Sequence, residues 1–188
     1  WIKRANRHTE RLLHDTEFLC AYASLLDAAY VYPREALNAA WRVLLLNQFH
    51  DILPGSSIGA VYVDSRAQFE SLTRDVTALH AAALAVIRTH IGGDLLVINS
   101  SSFTRDDVAL WHGHDIAASL LNADGDRIPA QNTTDGALIR VNVPPYSVTP
   151  FTLTTDDSVT NPAGGCVAET HRLENPFLRV DLIDKGDI

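Results

Sequence analysis

The sequence predicts an α+β chain, a three-helix bundle followed by an antiparallel β-sandwich-like module. Glycine and proline carry the first half of this expectation. Residues 1–91 hold two of each, whereas residues 92–188 hold eight glycines and six prolines. Alanine runs the other way, with fifteen in the first part and eight in the second. Apolar residues also change pattern near residue 92, from a recurrence every three or four positions to short runs between turn signals. The division expected is therefore a helical domain over 1–91 and a β-module over 92–188, with Gly92-Gly93 as the natural hinge.

The first helix is expected from about Ile2 to about Tyr30, with Leu12, Thr16, Leu19, Ala23, Leu26 and Tyr30 as its buried stripe. Pro33 starts the second helix, where a missing N–H costs little. Leu37, Ala40, Trp41, Leu44, Leu45 and Gln48 share its core face, and Pro54-Gly55 ends it. Ser56-Ser57 offers a hydroxyl cap for a third helix. That helix carries Tyr62, Ser65, Phe69, Leu72, Val76, Leu79, Ala83, Val86 and His90 at alternating spacings of three and four, a coiled-coil-like seam. Short turns between such helices make an antiparallel bundle. In the second part, strands are expected at Leu95–Ile98, Val108–Trp111, Ala117–Leu121, Arg127–Gln131, Ala137–Val143, Val148–Thr154 and Leu178–Ile183. Arg105-Asp106-Asp107 and Asn122–Asp126 read as turns between them. The last strand has no evident partner after it, so the sheet reads as incomplete.

Composition narrows the function classes. The chain has 188 residues, 46% of them apolar and 20% charged, and a net charge of −8. Such a chain buries a real core and repels phosphate backbones, which argues against nucleic-acid partners. No apolar run approaches the roughly 20 residues of a membrane-spanning helix. Two cysteines, Cys20 and Cys166, are expected as plain thiols. The absence of methionine, even at position 1, and the abrupt ends read as a segment of a longer protein. Thirteen arginines against two lysines suggest a GC-rich bacterial gene, for which a cytoplasmic location is the default expectation.

Chemistry concentrates in Asn47–Ser57, where His50 and Asp51 stand side by side at a helix end before a sharp turn. Neutral imidazole is a good zinc ligand, and a neighbouring carboxylate can hold a substrate hydroxyl. A structural account of the same pair also exists: a histidine favoured by the helix dipole and an aspartate bonding into the turn. The second helix adds weight to the functional account. With Leu37, Trp41, Leu44 and Gln48 on the core side, Val43, Leu46, Asn47 and His50 fall opposite, and Val43 and Leu46 are apolar. A helix apolar on both sides is covered on both sides, so a domain outside this chain is expected over the Val43, Leu46 and His50 face.

The run Trp41–Ser57, WRVLLLNQFHDILPGSS, closely resembles the corresponding stretch of α-mannosidases of glycoside hydrolase family 38. Residues 2–19, IKRANRHTERLLHDTEFL, look like the first helix of that family's middle domain. LLVINSSSFTR at 95–105 and LENPFLRVDLIDKGDI at 173–188 resemble, more loosely, the start of its large C-terminal β-domain. The resemblance covers nearly the whole chain. It implies a retaining exo-glycosidase that removes terminal α-linked mannose from oligosaccharides with one bound zinc. It implies that His50 is a zinc ligand and that Asp51 contacts sugar hydroxyls. The remaining metal ligands, the nucleophile and the acid catalyst are expected in an N-terminal barrel. No catalytic residue is therefore expected within this chain, which is expected to be inactive alone.

Other candidates are weaker. His112-Gly113-His114-Asp115 has the look of a metal cluster but reads better as a solvated turn. Asn99-Ser100-Ser101 and Asn132-Thr133-Thr134 fit the glycosylation sequon, which chance supplies often. Arg4, Arg7 and Arg11 form a solvated helix face, pairing with Glu10 and Asp15. The competing classes are a non-catalytic carbohydrate-binding module and a structural spacer. The first calls for aromatic residues exposed on the sheet. The second gives no reason for His-Asp at a helix end apolar on both sides.

Overall fold

A computed structural model describes residues 1–113, 119–154 and 166–182. Three helices come first: α1 (Ile2–Leu26), α2 (Arg34–Asn47) and α3 (Gly59–Ile91). On α1 the buried positions are Ile2, Asn6, Thr9, Leu13, Thr16, Leu19, Cys20 and Ala23. The two threonines are tolerated inside because each hydroxyl donates to the carbonyl four residues earlier, Thr9 to Ala5 at 2.9 Å and Thr16 to Leu12 at 2.6 Å. The helix stops four residues before the expected Tyr30. Asp27 adopts extended backbone and its Oδ1 accepts the Ala29 N–H at 2.8 Å, a local bond that competes with another helical turn. Tyr30 still packs on the bundle, and its hydroxyl donates to the buried Cys20 sulfur at 3.3 Å. Both cysteines are free thiols, as expected.

On α2 the inward residues are Leu37, Ala40, Leu44 and Asn47. Three sequence expectations fail here. Leu45 faces solvent, and Asn47 points into the core. Val43, expected on the outer face, is half-buried against the bundle core. The reading by polarity sent Asn47 outward, but its amide finds partners on α3. The third helix buries Ser65, Phe69, Leu72, Val76, Ala83 and Ile87, so its stripe follows Ile87 and leaves His90 exposed. Its N-cap is Ile58, with no side-chain cap, and neither Ser56 nor Ser57 plays that part. Leu13, Leu19, Leu37, Leu44, Val76 and Ile87 are among the fully buried side chains of the bundle. Each such leucine contributes about 1.5–3 kcal/mol relative to an exposed one.

Among the described residues ten short strands follow: β1 (Leu95–Asn99), β2 (Arg105–His112), β3 (Ser119–Leu121), β4 (Arg127–Ile128), β5 (Ala130–Thr133), β6 (Gly136–Val143), β7 (Ser147–Thr154), β8 (Val167–Glu169), β9 (Arg172–Glu174) and β10 (Arg179–Asp181). Every pairing is antiparallel. They form sheets ordered β1-β7-β3-β4, β2-β6-β5 and β10-β9-β8. The first two sheets share a core of Leu120, Ala137, Ile139, Val141, Val143 and Phe151, flanked by Leu95, Val97, Ala109, Trp111 and Ile128. The charged stretch Arg105-Asp106-Asp107, expected as a turn, instead begins β2. This strand lies at a sheet edge, where charged residues are at home. Strands β8 and β9 had no signal in the sequence. Strand β10 does have a partner, since Val180 stands opposite Leu173 of β9. Of the expected Ala117–Leu121 strand, residues 117 and 118 lie outside the described residues, as does Ile183 of the expected last strand.

The two halves share a layer. Along β1, Leu95 and Val97 face the sandwich core, whereas Leu96 and Ile98 pack on the helical core together with Val148 of β7. The register places Ile98 opposite Val148 and Leu95 opposite Phe151, so strand alternation gives each core its own set of residues. Further ties are the hydrogen bond from Ser100 Oγ to Asp15 at 2.6 Å and the Phe18–Tyr146 ring contact at 6.2 Å. Asp15 thus pairs with Ser100 and with the His14 ring, not with the arginine face of α1; Arg7 does pair with Glu10.

Candidate functional site

The end of α2 is fastened to α3 by a buried amide. Asn47 Nδ2 donates to Val43 O at 2.9 Å and to Gln68 Oε1 at 2.8 Å, and its Oδ1 accepts the Ser65 hydroxyl. Gln48 N–H then bonds back to the carbonyls of Leu44 and Leu45, and the chain turns. Ile52 and Leu53 N–H both donate to Phe49 O, and Gly55 N–H donates to Ile52 O. Gly55 has φ +99°, a conformation open to glycine and strained for other residues. Tyr62 closes the turn from α3. Its hydroxyl accepts the Ser57 N–H at 3.0 Å and lies 3.2 Å from Ile52 O and 3.3 Å from Asp51 O, to one of which it donates.

Within this frame His50 and Asp51 are brought together in the open. His50 Nε2 lies 3.4 Å from Asp51 Oδ2, and both side chains are more than half exposed. The Phe49 ring lies against the imidazole at 4.2 Å. In the chain on either side of the pair, Leu45, Leu46, Phe49, Ile58 and Val63 are each more than half exposed. A groove of about 720 Å³ opens between α1 and α3, lined by residues that include Trp1, Arg4, Arg66 and Arg74, but neither His50 nor Asp51 lines it.

Imidazole nitrogen and carboxylate oxygen are both ordinary zinc donors, so the pair fits part of a zinc site. It does not make a whole one. Among the described residues no group of three or more His, Cys, Asp or Glu side chains converges. His112 is an exposed residue at the end of β2, and His114 lies outside the described residues. The retaining-type pair of carboxyl groups flanking a sugar is also not assembled on this turn, which carries the single carboxylate of Asp51. The sequence singled out His50 and Asp51 but not Asn47, Tyr62, Ser65 and Gln68, whose hydrogen bonds fasten the turn that carries them. The available signal was the face shared by Tyr62 and Ser65, three residues apart on α3.

Comparison with known proteins gives this turn a context. Residues 1–87 match the family model described as the alpha mannosidase middle domain. Over 109 residues, 57% of this chain, the sequence is 39% identical to the Homo sapiens protein named Alpha-mannosidase 2C1 and covers 10% of its length. It is 30% identical over 107 residues to the Alpha-mannosidase of Saccharomyces cerevisiae, covering 56% of this chain and 10% of that one. The chain thus spans about a tenth of the curated relatives it matches. In fold, 98% of the chain superposes on 28% of a crystal structure of a glycosyl hydrolase family 38 protein from Enterococcus faecalis. The TM-score is 0.63 at 18% sequence identity.

Proposed function

We propose that the chain, whose residues 1–87 match the alpha mannosidase middle-domain family, is the middle segment of a zinc-dependent, retaining exo-α-mannosidase. The substrate class is an oligosaccharide ending in α-linked mannose. The observation that carries the reading is the exposed His50–Asp51 pair, with Phe49 against the imidazole, on a turn hydrogen-bonded to α3. His50 offers one ring nitrogen to the metal. Asp51 accepts hydrogen bonds from sugar hydroxyls, which fixes the orientation of the terminal sugar. A zinc ion held by His50 together with ligands from outside this chain would supply Lewis-acid binding for the hydroxyls of the terminal sugar. The nucleophile, the acid catalyst and the other ligands come from an N-terminal barrel, whose docking covers Leu46, Phe49 and their neighbours and removes water from the site.

The test uses the full-length enzyme and two substitutions. His50→Ala is expected to lose zinc and activity together. Asp51→Asn is expected to retain zinc and lower kcat/KM by about ten- to a hundred-fold, the equivalent of one charge-assisted hydrogen bond of roughly 1.5–3 kcal/mol. Metal content, melting temperature and kcat/KM are measured on both. Normal zinc content in His50→Ala removes the ligand assignment. A lowered melting temperature with unchanged catalysis per folded molecule in both returns the pair to a structural role.

A further inference from the structure

The His50–Asp51 pair lies between two anchors, and both come from one face of α3. Before the pair, Asn47 is 1% exposed, and both ends of its amide are engaged with Ser65 and Gln68 as well as with Val43 O. After the pair, the Tyr62 hydroxyl holds the Ser57 N–H on one side and the Ile52 or Asp51 carbonyl on the other. Tyr62 and Ser65 stand three residues apart, so a single helical turn of α3 fixes the backbone on both sides of residues 50 and 51.

Stability does not explain this choice of residues. At position 47 a leucine, with the same branched skeleton though larger, continues the apolar stripe of Leu37, Ala40 and Leu44, and leucine favours helix more than asparagine. A buried polar network in an apolar seam contributes chiefly by admitting one register and refusing others. Three-residue spacing from Asn47 to His50 means that a shift of α2 along α3 moves the imidazole with it.

We propose that Asn47 and Tyr62 are positioning residues for the His50–Asp51 pair, acting through the end of α2 and the turn that follows it. The proposal rests on the reading of His50 as a metal ligand. Groups that orient a metal ligand typically change metal affinity ten- to a hundred-fold when removed, without touching the metal themselves.

The experiment measures zinc affinity of the full-length enzyme by chelator competition, alongside the melting temperature and the split between KM and kcat. Tyr62→Phe removes only a hydroxyl. Asn47→Leu combined with Ser65→Ala replaces the buried polar contact by apolar volume, the serine's truncation making room for the leucine, and leaves the half-buried Gln68 amide to bond with water. His50→Ala serves as the reference. The expected result is a loss of zinc affinity of at least tenfold in both positioning variants, with melting temperatures close to the parent's and activity restored by excess zinc. Unchanged zinc affinity in both, while His50→Ala loses zinc, overturns the positioning role and leaves the ligand assignment intact. Melting temperatures that fall while zinc affinity per folded molecule stays constant overturn it as well. Zinc retained by His50→Ala overturns the ligand assignment, and the positioning role with it.

Discussion

Asn99, at the end of β1, donates its amide to the carbonyls of Phe103 at 2.8 Å, Pro144 at 2.8 Å and Val143 at 3.3 Å. Its oxygen accepts from the backbone N–H and hydroxyl of Ser101. The side chain is buried, so this sequon is closed to glycosylation in the folded protein. Asn99→Asp keeps the shape but turns the donor into a second acceptor facing three carbonyls. An unsatisfied buried polar group costs about 1–3 kcal/mol, and more when charged. Urea unfolding is therefore expected to show a loss above that range at neutral pH. His80, half-buried on α3, gives a pH dependence. Burial lowers its pKa, with Asp15 pulling weakly the other way. Above the ordinary histidine value, about 6.5, both folded and unfolded states carry it neutral. As pH falls, the unfolded chain takes up the proton first, so this contribution to stability is lost as pH drops through the folded pKa. His80→Gln is expected to flatten the decline in melting temperature between about pH 7 and about pH 5.

Helices were the legible elements, because a stripe repeating every three or four residues survives a few misplaced positions. What the pattern could not deliver was the exchange of Leu45 and Asn47. Polarity alone puts asparagine outside, and only the arrival of Ser65 and Gln68, eighteen and twenty-one residues later, satisfies it inside. The His50–Asp51 motif was legible for the same reason that its supports were not: the motif is contiguous, and the supports are assembled by packing. Strands fared less well. β8 and β9 span three residues each, too short for alternation to register. Between α3 and β1 the sequence suggests a hinge, but Gly93 is a close approach. It has φ +84°, and an added Cβ would stand 2.9 Å from Pro150 Cβ and 3.2 Å from Phe151 O. Gly92, at φ +75°, meets nothing within 4 Å. Gly93→Ala is expected to destabilise by about 1–3 kcal/mol from backbone strain plus the collision, and Gly92→Ala by the strain alone. Thermal unfolding of the two variants side by side reads the difference, and equal losses would mean that β7 yields without cost.

For the whole molecule, the shared β1–β7 layer predicts cooperativity. Leu96, Ile98 and Val148 belong to the helical core, while Leu95, Val97 and Phe151 on the same two strands belong to the sandwich. Melting followed by helical circular dichroism and by the near-ultraviolet signal of the aromatic residues is expected to give one coincident transition. Two separated transitions would show that the layer does not couple the cores. The same strands bear on how such a molecule can be recombined. A bundle from one relative cannot simply be grafted onto the sandwich of another at Gly92, because the graft would meet a foreign β1 and β7. The underside of those strands was shaped for a different set of helices. A workable chimera has to carry residues 95–99 and 147–151 along with the bundle, although the second stretch lies more than fifty residues downstream in the donor's sequence.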